Sequence, residues 1–177
     1  MLEESLIIYK LMTTEENPVF EGEFYKIDGA INQPKPIQKP YPPLWVCGGG
    51  EKVTLKLLAK YGDYGNWDVD VDGFINKSNI LEDHCNNENR EYSEIGRTLH
   101  TNVLIAEDKN KLDSKIEKLS SYTNIPKEYY YERPLIGLED EVFETLNKYK
   151  EAGCTYLIAY IPDIVWGDTL DILSKLN

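Results

Sequence analysis

Cysteine is scarce in this chain, and its spacing excludes two common kinds of site. The 177 residues include three cysteines, and no two of them form a CxxC pair. This spacing argues against a disulfide framework and against a zinc site, so we expect no bound metal. A reducing, cytoplasmic location fits the same pattern. The three residues are Cys47, Cys85 and Cys154.

Basic residues and long apolar runs are also lacking. The chain has 19 lysines and arginines against 31 aspartates and glutamates, a formal net charge of −12. Such an acidic balance argues against binding to nucleic acid or to an anionic membrane. The segment Met1–Ser5 has neither a basic region nor a long apolar run, so we expect no signal peptide and no membrane span.

The apolar residues that are present follow an alternating order of elements. They make up 41% of the chain, enough for one domain with a core. Apolar periodicity predicts helices at 2–12, 52–61, 73–86, 109–121, 138–152 and 168–176, strands at 44–47, 98–106 and 155–161, and a turn with a short strand within 62–67. Asp108 is placed to cap one helix and Gly153 to end another.

The order of these elements predicts an α/β fold. Four strands, each followed by a helix or by a loop that leads to one, imply a parallel sheet. Four such units fit two architectures, a small doubly wound sheet or half of a (β/α)₈ barrel. Prolines between 33 and 43 exclude a helix or a central strand there and indicate an ordered, extended lead-in to the strand at 44–47.

Three glycines at the end of that strand form the most informative motif. The apolar segment 43–47 breaks into Gly48, Gly49 and Gly50, and an amphipathic helix follows. Glycines let the main chain approach a ligand closely, and the N-terminus of a helix favours an anion. The same layout also suits a plain tight turn. We expect Glu51 to face solvent, since its carboxylate would repel a phosphate.

These motifs, in this order, resemble the luciferase-like monooxygenase superfamily of flavin- and deazaflavin-dependent oxidoreductases. The likeness covers nearly the whole chain. The segments that carry it are FEGEFY at 20–25, PKPIQKPYPP at 34–43, GGGE at 48–51, AKYGD at 59–63 and AGCTYL at 152–157. Two departures stand out: residues 63–67 read DYGNW where the family often has D-G-W-N, and Leu138 replaces a capping Thr or Ser.

The resemblance implies a fold and an activity. It makes residues 1–177 a single domain, the C-terminal half of a (β/α)₈ barrel of the TIM type, with an extended excursion at 13–43. The implied function is hydride transfer to, or monooxygenation of, a small organic substrate. The implied cofactor is FMN or the deazaflavin coenzyme F420. Its phosphate would be held by Gly48, Gly49 and Gly50, with the Thr54 hydroxyl as a further donor or as an ordinary first-turn residue.

Four further residues are candidates for the wall of a substrate pocket. Cys47 ends a strand, as either a small packing residue or a reactive thiol. Asn66 and Trp67 end the next strand, with a pocket role and a structural role both open. His100 lies on a strand without a carboxylate partner in view. His84 and Cys85 point in different directions on a helix and make no metal site. No catalytic residue is assigned.

A second hypothesis belongs to another functional class. Family members are full barrels, and the residues that face the reactive ring come from the N-terminal strands, which this chain does not contain. A half-barrel exposes two sheet edges and should pair, either with an N-terminal half or with a second copy of itself. The alternative is therefore a non-catalytic half-barrel that acts as an assembly partner, and we expect the isolated chain to be inactive.

Overall fold

The computed structural model describes residues 1–175, which fall into two compact units. Unit 1 consists of residues 1–65 and 81–95, and unit 2 of residues 66–80 and the chain from Gly96 onward. The helices are α1 Leu2–Thr14, α2 Thr54–Tyr61, α3 Val71–Asn87, α4 Lys109–Thr123, α5 Lys127–Tyr131, α6 Glu139–Glu151 and α7 Thr169–Leu173. The strands are β1 Val19–Glu21, β2 Lys26–Asp28, β3 Trp45–Cys47, β4 Tyr64–Trp67, β5 Gly96–Asn102, β6 Leu104–Ala106, β7 Ile136–Leu138 and β8 Tyr156–Tyr160.

In unit 1, hydrogen bonds fasten the long excursion to the first helix. β1 and β2 form an antiparallel hairpin, and the Glu4 carboxylate of α1 accepts three main-chain N–H bonds from residues 23–25 at its turn. The Tyr9 hydroxyl donates to the Pro42 carbonyl at 3.0 Å. These bonds satisfy main-chain groups of the excursion and of the segment that leads into β3.

Hydrogen bonds connect the residue before β3 to the start of β4. The N–H groups of Asp63 and Tyr64 both donate to the Leu44 carbonyl, and the Asp63 carboxylate accepts from the Leu44 N–H at 2.7 Å. α2 follows β3 and buries Leu55, Leu57, Leu58 and Ala59 against the unit's core. β3 is therefore held by hydrogen bonds at its start and α2 by its buried side chains, which positions the loop between them.

In unit 2, β5 and β8 pair in parallel from Thr98↔Tyr156 to Asn102↔Tyr160. β6 and β7 form a separate parallel pair from Leu104↔Ile136 to Ala106↔Leu138. A core of Leu104, Ala106, Leu112, Ile116, Leu119, Tyr130 and Ile136 packs between this second pair and α4. Parallel strands alternating with helices confirm the predicted α/β class.

The structure corrects the predicted single strand at 98–106. The Val103 N–H donates to the Tyr160 carbonyl, whereas the next N–H, that of Leu104, donates to the Leu135 carbonyl. The chain therefore changes hydrogen-bonding partner at Val103, and the strand divides into β5 and β6. The sequence predicts no element between 121 and 138, so the structure adds the short helix α5 and the strand β7 there.

Two helix-end signals in the sequence are present in the structure. The Asp108 carboxylate accepts from the Lys111 N–H at 2.9 Å, which confirms the predicted cap of α4. Gly153 has φ +86° and follows α6, as a helix-ending glycine should. At the start of α6, the Glu141 carboxylate accepts from the Leu138 N–H. Part of the predicted helix 168–176 is α7, and Leu176 lies outside the described residues.

A buried lysine connects α4 to the segment that follows β8. The Lys115 ammonium lies 2.7 Å from the Asp163 carboxylate and 2.5 Å from that of Asp168, and it donates to the Ile105 carbonyl at 2.6 Å. Asp163 is fully buried and also accepts from the Thr169 hydroxyl. The hydrogen bond from Lys115 lowers the pKa of the Asp168 carboxyl. We call Lys115, Asp163, Asp168 and Thr169 the lysine clamp.

We expect Lys115→Met to lower the free energy of unfolding by about 3–5 kcal/mol, because the Asp163 carboxylate would then be buried without its cation. Lys111→Met on the same helix is the matched control. Its ion pair with Glu107 is at the surface, so its loss should cost about 1 kcal/mol or less. Urea unfolding followed by circular dichroism measures both. Equal losses in the two variants would contradict the role of the clamp.

Candidate functional site

The glycine loop, residues 48–50, lies between the end of β3 and the start of α2. Gly48 has φ +107°, a conformation that disfavours any residue with a side chain. At Gly50, an added Cβ would lie 2.8 Å from Thr54 Oγ1. The main chain of all three glycines is exposed to solvent. The glycine loop is thus exposed to solvent and lies beside the hydroxyl of Thr54.

A main-chain hydrogen bond joins the end of the glycine loop to the start of α2. The Leu55 N–H donates to the Gly50 carbonyl at 3.0 Å, across the turn at 51–53 that precedes α2. Glu51 is exposed, as expected from the sequence. An exposed glycine main chain, a hydroxyl and a helix N-terminus together fit a phosphate-bearing group. The residues that could hold it are Gly48, Gly49, Gly50 and Thr54.

A histidine that the sequence analysis set aside holds the end of the glycine loop. His84 Nε2 lies 2.8 Å from the Glu51 carbonyl oxygen, and since a carbonyl only accepts, the ring nitrogen donates. The neighbouring Cys85 is fully buried, and this burial raises the pKa of its thiol. His84 therefore positions the loop while Cys85 packs. His84 lies 33 residues from Glu51 in the sequence, so no local pattern indicated this contact.

The two strand ends in unit 1 differ from expectation in one respect. Cys47 is exposed at the end of β3, so it does not pack in the core. Trp45 lies two residues before Cys47 on β3. Its ring stacks on that of Tyr64, with centroids 4.5 Å apart and planes 12° apart. Unit 1 therefore brings together Cys47, the glycine loop and Thr54.

Unit 2 carries the other three candidate residues. The Asn66 side-chain oxygen accepts from the Thr98 hydroxyl at 3.0 Å, so this amide orients the start of β5. Trp67 is 2% exposed and meets Phe74 edge to face at 5.1 Å. The structure thus places Trp67 in the core of unit 2, where it packs.

His100 lies on an exposed face of the β5–β8 pair. It is opposite Ile158 in the register, and Tyr156 and Tyr160 flank that position on β8. Tyr156 and Tyr160 are 57% and 62% exposed. We call His100, Tyr156, Ile158 and Tyr160 the strand face. Exposed rings grouped in this way mark a surface suited to contact with a partner.

The part of the chain that the structure describes contains no group of three or more His, Cys, Asp or Glu residues that could hold a metal ion. Within residues 1–175, no helix has both the length and the apolar character needed to cross a membrane.

Comparison with known proteins identifies the fold and the family. An F420-dependent secondary alcohol dehydrogenase in complex with an F420-acetone adduct matches 100% of this chain and 60% of its own, with TM-score 0.78 and 16% identity. Riboflavin lyase (RcaE) with modified FMN and substrate riboflavin matches 97% and 54%, with TM-score 0.71 and 13% identity. These likenesses confirm an α/β fold of the luciferase-like TIM-barrel type.

Sequence comparison gives a shorter match. An uncharacterized protein of Mycobacterium tuberculosis (strain H37Rv) is 34% identical over 77 residues, which are 41% of this chain and 26% of that protein. The chain thus spans about a quarter of this relative and 54–60% of the two solved structures. The family model described as "Luciferase-like monooxygenase" matches residues 1–123. On this evidence the chain belongs to the luciferase-like monooxygenase family.

Proposed function

We propose that this chain is the cofactor-phosphate part of an oxidoreductase that uses FMN or coenzyme F420. The observation that carries the proposal is the glycine loop between β3 and α2, with Gly48 at φ +107° and the Thr54 hydroxyl beside Gly50. The two solved structures named above bear F420 and modified FMN, which supports the same choice of cofactor. Both cofactors carry a phosphate, the group that the loop suits.

The chain's own residues would bind and orient that phosphate. Main-chain N–H groups of Gly48, Gly49 and Gly50 would donate to its oxygens, and the Thr54 hydroxyl would add a donor. The His84 hydrogen bond to the Glu51 carbonyl would keep the loop in place as the ligand enters. When bound, the cofactor supplies the hydride or electron transfer, while the protein supplies position.

The local donors offset an unfavourable overall charge. With a net charge of −12, the chain as a whole repels a phosphate. The glycine loop places uncharged main-chain donors and the positive end of α2 closest to the ligand. Binding should therefore strengthen at higher salt, where the distant carboxylates are screened more than the direct hydrogen bonds.

The proposed reaction needs more than the phosphate site described above. We infer a small organic substrate and a cytoplasmic enzyme in which a further half-barrel closes the pocket. Cys47, Asn66 and His100 stay candidates for the pocket wall, and no catalytic residue is assigned to this chain. Catalysis in barrels of this type draws on the ends of several strands, which favours a need for the second half.

A comparison of FMN with riboflavin tests the phosphate assignment. The two ligands differ only by the phosphate, so the purified chain should bind FMN at least about a hundredfold more tightly than riboflavin, as expected for two charge-assisted hydrogen bonds of about 1.5 kcal/mol each. Titration calorimetry measures both affinities. Equal affinities would show that the glycine loop does not hold the phosphate.

The strand face supports a second candidate function, that of a non-catalytic half-barrel which acts as an assembly partner. β8 is the edge strand beside β5, and it exposes Tyr156 and Tyr160 in a row. An edge strand and an exposed row of rings both favour pairing, with an N-terminal half-barrel or with a second copy of the chain.

We expect the purified chain to associate at micromolar concentration, because association covers this edge and its rings. Tyr160→Asp places a charge on the strand face and should shift the sedimentation profile toward the monomer. Tyr25→Asp, at an exposed tyrosine of unit 1, is the matched control and should leave the profile unchanged. A stable monomer that binds no apolar dye would rule out association through this face.

A further inference from the structure

Unit 2 contains a cavity of about 430 Å³ at the carboxyl ends of β5 and β8. Asn102 and Tyr160, the last residues of these strands, lie at its base. Its walls come from α4, from α5 and from the segment after β8. Five aromatic residues dominate the lining, and we call the cavity the aromatic pocket after them: Tyr122, Tyr129, Tyr130, Tyr160 and Trp166.

We propose that the aromatic pocket binds an uncharged, planar aromatic molecule, with the Asn102 amide at its polar end. The proposal goes beyond the cofactor-phosphate site, since it rests on residues of unit 2 alone. Carboxyl ends of parallel strands are where α/β folds place their ligands. A volume of 430 Å³ lies within the range of about 300–1,000 Å³ that is usual for small-molecule pockets.

The side chains that line the cavity favour an uncharged occupant. Among the described residues that line it, none is Asp, Glu, Lys, Arg or His. The cations of Lys118 and Arg133 contact the lining rings of Trp166 and Tyr129, and a charged ligand that lost its hydration in the cavity would meet no charged side chain in the lining itself, which is costly. The Asn102 amide can both donate and accept a hydrogen bond. The hydroxyls of Thr123 and Tyr130, 2.8 Å apart, bond to each other.

Contacts within the protein hold two of the lining rings, those of Tyr129 and Tyr130. These rings meet edge to face at 5.4 Å, and the Arg133 guanidinium lies 4.2 Å from the centre of the Tyr129 ring. Rings fixed in this way can stack on a planar ligand without a large loss of side-chain entropy. They therefore form a preorganised site for an aromatic group.

The lysine clamp fixes the remaining wall. The Asp163 carbonyl accepts from the N–H groups of Trp166 and Gly167 at 2.9 and 2.7 Å, in a tight turn. At Gly167, an added Cβ would lie 1.9 Å from the Asp163 carboxylate, so the turn requires glycine. The Lys118 ammonium lies 3.9 Å from the centre of the Trp166 ring. These contacts hold Trp166 at the cavity.

A neutral fluorescent probe, N-phenyl-1-naphthylamine, tests the proposal on the purified chain. It should bind one to one and accept energy from tryptophan. Its anionic relative 8-anilinonaphthalene-1-sulfonate should bind at least about tenfold more weakly, because no side chain in the lining is charged and the sulfonate would lose its hydration there. Equal affinity for the two probes, or no saturable binding of the neutral one, would overturn the proposal.

Two variants locate the bound probe. Trp166→Leu and Tyr122→Ala should each weaken probe binding by about five- to tenfold through lost ring contacts. Tyr122 is 71% exposed, so its removal leaves folding intact. Tyr131→Ala, at a tyrosine of α5 outside the lining, is the control and should bind normally. Loss of binding in Tyr156→Ser, with normal binding in both pocket variants, would place the probe on the strand face instead and refute the pocket.

Discussion

Gly49→Val is expected to weaken FMN binding by about a hundredfold or more, the loss of two charge-assisted hydrogen bonds of about 1.5 kcal/mol each. A branched side chain at the centre of the glycine loop would keep the phosphate away from main-chain N–H groups on either side. The same variant should leave the weak binding of riboflavin unchanged, because riboflavin has no phosphate. Titration calorimetry with the two ligands measures the difference.

Two further variants separate main-chain from side-chain recognition. Glu51→Gln should bind FMN as the unmodified chain does, because the Glu51 side chain is exposed and the donors are main-chain groups. Thr54→Val keeps the side-chain shape and removes one hydroxyl donor, so affinity should fall by about five- to tenfold. Unchanged affinity in Gly49→Val would refute the site. A large loss in Glu51→Gln would assign recognition to a side chain instead.

The glycine loop was predictable because its signals are local. An apolar strand, three glycines and an amphipathic helix follow one another within 43–61, and each leaves a pattern in adjacent residues. The α4 cap at Asp108 and the glycine after α6 were predictable for the same reason. The family resemblance, which rests on the order of such local motifs, is confirmed by the family model over residues 1–123.

The features that the sequence did not reveal depend on partners distant in the chain. The strand at 98–106 divides because Val103 bonds to Tyr160 and Leu104 bonds to Leu135, and neither partner leaves a trace in local periodicity. His84 reaches the Glu51 carbonyl across 33 residues, and Lys115 reaches Asp168 across 53. The residue type of His84 alone did not indicate a role for this side chain. Only the folded chain shows which main-chain groups these side chains satisfy.

The same limit applies to the candidate pocket residues. Trp67 and His100 both lie on predicted strands, yet one is buried against Phe74 and the other is exposed opposite Ile158. Alternation along a strand predicts two faces but does not say which one the core covers. That choice depends on the helices and strands that pack on each face, and those lie far away in the sequence.

The purified chain alone is expected to give no appreciable turnover, even where it binds cofactor. Catalysis in barrels of this type draws on residues from the ends of several strands. Within the described residues of unit 2, His100 is exposed on the strand face and forms no acid–base pair with a carboxylate, while His84 of unit 1 is engaged with the Glu51 carbonyl. An open site also admits water, which competes with hydride transfer.

Cofactor absorbance provides the measurement, with alcohols, aldehydes and reduced cofactors as the panel of reactants. The chain is assayed alone and then with a separately expressed N-terminal half-barrel of the family, which should close the pocket and exclude water. Tyr160→Asp is the informative variant here, because a charge on the strand face should block pairing and hence complementation while leaving FMN binding at the glycine loop intact. Robust turnover by the lone chain would show that it carries its own catalytic groups. If Tyr160→Asp still allowed complementation, the strand face would not be part of the surface that pairs with the N-terminal half.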